Sequence, residues 1–283
     1  MATAIHEHVF TDTGDFTASG AWTTGGNWAS ASAPVTAETV IISTPAFDVN
    51  TFPDVGTVDL GALTISEKCT KQIGGSGDRM DVDALDTTTA AGVVTFSGKG
   101  AVNYFECDTN YFLVDHRSYL PGSLFVKHRS AGIGDVWIND GSVTLDGGTY
   151  TRIVSSSIGG NSSKCVIDAG STLVTVIATS GIIECSATDT ITTLELSGSG
   201  RFEHLAAEAI TTINIYGGEF YFDGLATVTE INQWGGTVDA SRTDGNKVIT
   251  TYNGHAGRLV PPAGGGLSVP TKNFSSAFDR GGF

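Results

Sequence analysis

The chain has 283 residues, 37 of them glycine, and carries 30 acidic side chains against 15 basic ones, for a formal charge of −15. A surface of that sign repels phosphate backbones and anionic lipid, which excludes nucleic-acid binding and argues against membrane association. No apolar run is long enough to span a bilayer, so no membrane insertion is expected. Serine and threonine crowd the apolar runs and helix formers gather nowhere, a composition of short strands and tight turns.

Residues 1–35 read as an N-terminal arm and cap. The opening residues, Met1 to His8, have neither the basic nor the apolar stretch of a secretory signal. Trp22 and Trp28 lie in a Gly- and Thr-rich stretch. They suit the role of covering the open end of a repetitive β structure, where apolar core and unpaired backbone would otherwise meet water. Val40-Ile41-Ile42 is the first strong strand, ended by Pro45. Runs at 55–60, 62–66, 93–96 and 101–105 follow, with Leu63 and Ile65 facing inward by alternation. The aromatic-rich region 101–129 is expected to form wider coils or a lateral bulge. From 132 onward, short apolar runs alternate with turn signals such as Asn139-Asp140-Gly141 and Asp146-Gly147-Gly148.

The last third is periodic. Gly198, Gly217, Gly235 and Gly254 are 19, 18 and 19 residues apart, and each closes a β-like run. A period of about 20 residues points to coils stacked into a solenoid. Glycine at these four positions is read as taking the positive φ that a sharp corner requires. Residues of equal phase then touch from coil to coil, at about 4.8 Å. Phe202, Phe220 and Val238 are expected to form one internal ladder, and Leu194, Ile213 and Ile231 another. An antiparallel meander is the competing arrangement, disfavoured because the intervening segments vary too much in length for fixed hairpin turns. The expected fold is thus all-β: a single-stranded right-handed parallel β-helix, or β-solenoid, of about ten coils. It would span 36–256, between the N-terminal arm and an extended C-terminal linker and tail at 257–283. The tail holds Phe274, Phe278 and Phe283. Two arrangements are open for it: packing along a neighbouring subunit or other partner, or folding back on its own last coil.

Chemistry is thin. No phosphate-binding loop, dinucleotide fingerprint or nucleophile elbow is present. The four cysteines, Cys69, Cys107, Cys165 and Cys185, match no zinc spacing. Cys165 and Cys185 are one coil apart and read either as core thiols or as a disulfide. His116-Arg117 and His128-Arg129 are two like pairs 12 residues apart, which a turn at Pro121-Gly122 would bring together as subunit or partner contacts. Polysaccharide cleavage needs two carboxylates about 5–9.5 Å apart. Glu184 and Glu203, 19 residues apart, would stack on adjacent coils, and Asp81 and Asp83 share a face, but neither pairing is specific. No catalytic residue, metal site or cofactor is assigned.

The stretch from Trp22 through Gly25-Gly26-Asn27-Trp28 and Pro34 to Val40-Ile41-Ile42, with the coil rhythm behind it, resembles the entry segment of β-solenoid virion proteins of tailed bacteriophages. The likeness covers residues 20–45 and defines no functional residue. It implies a structural virion component made in the host cytoplasm: a capsid decoration, head fibre or tail-spike part. It also implies a homotrimer held by its terminal segments to the major capsid protein or another virion protein. The alternative implication is a host-recognition protein that binds or depolymerises a host polysaccharide, with an exposed aromatic strip or acidic groove near Tyr104 to Tyr119.

Overall fold

The computed structural model describes residues 5–9, 39–44, 61–70, 72–73, 79–84, 93–99, 102–109, 111–115, 124–128, 134–156, 163–187, 190–206, 209–243 and 245–280. Every regular element among them is a strand. The chain divides into two compact units, Met1–Thr144 and Leu145–Phe283.

The first unit contains β1 (Ile5–Val9), β2 (Thr39–Thr44), β3 (Ala62–Ile65), β4 (Met80–Ala84), β5 (Val93–Phe96), β6 (Asn103–Thr109), β7 (Tyr111–Asp115), β8 (Leu124–His128) and β9 (Asp135–Asp140). One sheet runs β1-β2-β3-β5-β7-β9 and the other β4-β6-β8. All the pairings are parallel. From β3 onward, consecutive strands fall in opposite sheets and each pairs with the strand two along, which is the signature of a coil laid on a coil. Within the first sheet, Val40, Leu63, Val94, Phe112 and Val136 stand in register and are all buried. Strict alternation supplies this ladder, because every second side chain of a strand turns to the same face.

β10 (Ser142–Leu145) lies at the division between the units. The second unit continues with β11 (Gly148–Ser155), β12 (Lys164–Ile167), β13 (Ser171–Ala178), β14 (Ile182–Cys185), β15 (Ile191–Leu196), β16 (Arg201–His204), β17 (Ile210–Ile215) and β18 (Glu219–Phe222). Then come β19 (Thr227–Gln233), β20 (Thr237–Asp239), β21 (Lys247–Gly254), β22 (Gly257–Val260), β23 (Leu267–Ser268), β24 (Thr271–Phe274) and β25 (Phe278–Asp279). The odd strands β11 to β21 form one sheet, closed by β23 and β24, which both pair with β21. The even strands β12 to β22 form the other, closed by β25. Pairing is again parallel throughout, so each unit is a parallel β-solenoid with two strands to a coil.

The interior of the second unit is filled by like on like. Phe202 is in register with Phe220, and Phe220 with Val238. The two phenyl rings stack with centroids 6.2 Å apart. On the opposite sheet Leu194, Ile213, Ile231 and Tyr252 follow one another. All of these side chains are fully buried, each phenylalanine contributing about 1.5–3 kcal/mol through removal of apolar surface from water.

Several expectations need correction. The tail is not an extended linker. Gly257–Val260 pairs with β20, Thr271–Phe274 with β21 and Phe278–Asp279 with β22, so residues 257–279 build the last coil. Pro261 and Pro262 do not interrupt it, because they sit at the corner, where Gly265 N–H bonds Pro262 O at 3.2 Å and no ladder donor is required. At the other end, Ile5–Val9 of the expected arm pairs with β2 as a rung of the sheet. The odd sheet of the second unit alone has six rungs before the tail, so about ten coils for the whole chain is an underestimate. The 101–129 region contributes ordinary rungs, β6, β7 and β8, to both sheets of its unit. The run at 55–60, and Trp22 and Trp28, lie outside the described residues.

The glycine reading also changes. Of the four, only Gly198 has a positive φ, 55°. In the next two coils the left-handed residue is one position later, Gly218 at 78° and Gly236 at 68°. A Cβ on Gly218 would lie 2.1 Å from Gly200 O, so close coil-to-coil backbone approach demands glycine there as much as the dihedral does. Gly254 ends β21, and its bareness serves packing instead: a Cβ would sit 2.8 Å from the Phe278 ring and 2.9 Å from that of Phe274.

Candidate functional site on the outer faces of the C-terminal coils

The odd strands β15 and β17 share the burial order buried, exposed, half-buried, buried, half-buried, buried. Two successive residues escape burial, so the strand bends there before alternation resumes. That bend presents Thr192, Thr211, Thr229 and Thr250, all exposed, from the same point of four successive coils. Beside them run Thr193, Thr212, Glu230, Thr251 and Thr271 in register.

Two residues further along each strand stands a column of amides. Glu195 is in register with Asn214, and Asn214 with Asn232, Asn253 and Asn273 in turn. Asn232 donates to Asn214 Oδ1 at 3.2 Å, Asn253 to Asn232 Oδ1 at 2.8 Å, and Asn273 to Asn253 Oδ1 at 2.8 Å. Asn253 also donates to Glu230 Oε1 at 2.9 Å. Stacking at strand spacing places each amide's donor within reach of its neighbour's acceptor, as in amide ladders of stacked β structure.

At the corner after these strands, three rings project outward. Tyr216 and Trp234 stack with centroids 5.0 Å apart at 8°, and Trp234 and His255 at 5.4 Å and 8°. Tyr216 is 56% exposed and Trp234 43%. Ser197 and Ser275 hold the same place in the coils on either side, since Ser197, Tyr216, Trp234, His255 and Ser275 each follow the in-register residues Leu196, Ile215, Gln233, Gly254 and Phe274. This strip is the exposed aromatic feature expected near Tyr104. In the first unit Tyr104 instead stacks flat on Phe125 at 4.7 Å. The spacing of Tyr216, Trp234 and His255 was readable in the sequence, as was that of the asparagines. What was missing was the direction of side chains at the corner.

The even sheet is electrostatic. Glu184 and Glu203 stand in register on adjacent coils, but each is engaged by cations. Lys164 meets Glu184 at 2.8 Å, and Arg201 and Arg242 both pair with Glu203, Arg242 at 3.6 Å. Arg242 also holds Asp223 at 3.1 Å. Both guanidiniums lie over the Tyr221 ring, at 4.3 and 4.4 Å. Burial raises the Asp223 carboxyl above its ordinary value, opposed by Arg242 and Lys247. Burial, then the hydrogen bond to Glu219, raises Tyr221. Carboxylates held this way are structural ion pairs, not a free acid and base flanking a glycosidic bond.

Lys247, fully buried, donates to Ala240 O at 2.7 Å and Thr243 O at 2.9 Å, fixing the preceding loop. Cys165 and Cys185 are buried free thiols on β12 and β14. They are offset by two residues, with Cys165 opposite Ile183 and Cys185 opposite Ile167. Burial pushes the Cys165 thiol well up, and the neighbouring Cys185 adds to this. In the first unit, a cavity of about 340 Å³ is lined by Ile41, Thr64, Ser66, Glu67, Ser97, Lys99 and Asp115. No group of three or more metal-ligating side chains occurs among the described residues.

His116, Arg117, Arg129 and Phe283 lie outside the described residues. His128 ends β8 opposite Cys107. Phe274 and Phe278 stack on each other at 4.7 Å and against Tyr252 at 5.3 and 5.5 Å. Of the two arrangements open for the tail, folding back on its own last coil is the one adopted: Phe278 is only 5% exposed. It closes the core instead of reaching a partner, because the apolar end of Tyr252 would otherwise face water.

These features define a parallel β-solenoid with a patterned outer face. The chain matches no protein-family model, no curated protein and no solved structure.

Proposed function

We propose that the chain is a structural component of a tailed-bacteriophage particle, a capsid decoration, head fibre or tail-spike part. In this reading it is a homotrimer that attaches through its terminal segments to the major capsid protein or another virion protein. The likeness of residues 20–45 to the entry segment of such proteins supplies the phage assignment. The observation that carries the non-catalytic part is the even face of the second unit, where Glu184, Glu203 and Asp223 are each paired with lysine or arginine. A face built this way stabilises a coil and leaves no carboxylate pair poised for general acid–base work.

Density-gradient co-sedimentation of the purified protein with particles of its source phage tests the reading. Light scattering of the free protein tests the trimer. Co-migration is expected, and its loss on deletion of residues 1–20. A protein that never co-migrates, or one that attaches equally well without residues 1–20, overturns the assignment. Deletion of 262–283 is the poorer test, since it removes the last coil.

A further inference from the structure

The ring strip at the corner of the second unit ends in an uncovered face. Tyr216 has Trp234 on one side. On the other side the equivalent residue is Ser197, followed by Gly198 and Ser199, the last two exposed. No second ring covers Tyr216 there, and its 56% exposure follows from this. Trp234, with a ring on each side, presents its edge; Tyr216 presents a whole face above a shelf of small residues.

Polar groups converge at the same coils. Asn214 begins the amide column: its Oδ1 accepts from Asn232, and its own amide nitrogen has no acceptor among the described residues. Glu195, in register with it one coil earlier, has no ion pair among the described residues. One donor and one acceptor are thus set beside an apolar ring face.

We infer that the open face of Tyr216, with Asn214 and Glu195, is a binding subsite for a neutral glycan. A pyranose ring has an apolar C–H face and a rim of hydroxyls that both donate and accept. It therefore needs an aromatic platform and flanking polar groups of both kinds. An apolar peptide would leave Asn214 and Glu195 unpartnered on being covered, which is costly. An acidic glycan meets Glu195, Glu230 and a chain of net charge −15, so the neutral polymer is the favoured class. The subsite lies wholly within the second unit and does not depend on where the protein is mounted, so failure of the virion assignment leaves it standing, and the reverse.

The test is affinity electrophoresis of the full chain through gels containing dextran, mannan, galactan or xylan, against gels containing alginate or polygalacturonate. Retardation is expected in at least one neutral gel. Tyr216→Ala is expected to weaken it by about tenfold or more. Ser197→Phe, which extends the stack by one ring and covers the Tyr216 face, is expected to abolish it with the fold intact by circular dichroism. Tyr221→Ala, on the opposite sheet, is expected to leave it unchanged. Retardation in no neutral gel, retardation only in the acidic gels, or retention undiminished in both Tyr216→Ala and Ser197→Phe overturns the proposal.

Discussion

Tyr252 donates its phenolic proton to Gln233 Oε1 across 2.5 Å, one coil to the next, inside the core of the second unit. The same glutamine side chain, fully buried, turns its amide nitrogen to Gly235 O and Gly236 O at 3.0 and 2.9 Å. A single polar side chain therefore ties an internal ring to the backbone of the corner, and every hydrogen-bonding group around it is answered. Burial raises the Tyr252 hydroxyl well above its ordinary value, so it remains a donor across the physiological range.

Gln233→Leu strands that hydroxyl and two corner carbonyls. A loss of about 1–3 kcal/mol is expected, measured by urea denaturation. Tyr252→Phe is expected to cost about as much. The double variant Gln233→Leu/Tyr252→Phe is expected to cost less than the sum of the two, because the shared bond is lost only once.

Gly254→Ala places a methyl group against the rings of Phe278 and Phe274. Expulsion of the tail from the last coil is the expected result, with about 1–3 kcal/mol of destabilisation from overpacking. Limited proteolysis reads it directly: cleavage after residue 260 should accelerate in the variant while the preceding coils stay protected. Unchanged protection of the tail would mean that the two rings can shift aside.

Phe220→Ala removes the middle of the Phe202–Phe220–Val238 ladder. A loss of about 3–5 kcal/mol is expected, transfer and cavity terms together. Asn232→Leu, in the half-buried amide column, breaks the bonds to Asn214 and Asn253, each worth about 0.5–1.5 kcal/mol. The ranking Phe220→Ala above Asn232→Leu is checked by thermal unfolding of the two variants side by side.

The pH dependence centres on Asp223. Its carboxyl titrates higher in the folded chain than its ordinary value of 3.8, so the folded state holds its proton more tightly than the unfolded state. The stabilisation linked to this group is complete below the unfolded value and is withdrawn as pH rises through the folded one. Asp223→Asn is expected to flatten the stability profile just above pH 3.8, read from denaturation midpoints at a series of pH values. An identical slope in the variant would assign the dependence to other carboxylates.

Stacking with a near-constant period was legible in the chain itself. In residues 191–254, runs such as Ile191–Leu196 and Ile210–Ile215 recur at nearly equal intervals, and parallel coils of equal length are the arrangement that brings every such run into register. Inward alternation follows from the strand's two-residue repeat, so the Phe202 and Leu194 ladders needed no further information. Tertiary structure alone decided the corners and the outer face. The left-handed residue moves from Gly198 to Gly218 and Gly236 because the closeness of one coil's backbone to the next selects it. Tyr216, Trp234 and His255 form a strip, and Phe274 and Phe278 a lid, because the direction of a side chain at a bend depends on backbone angles that no repeat specifies. Alternation is a property of one strand; the corners are set by contacts between coils.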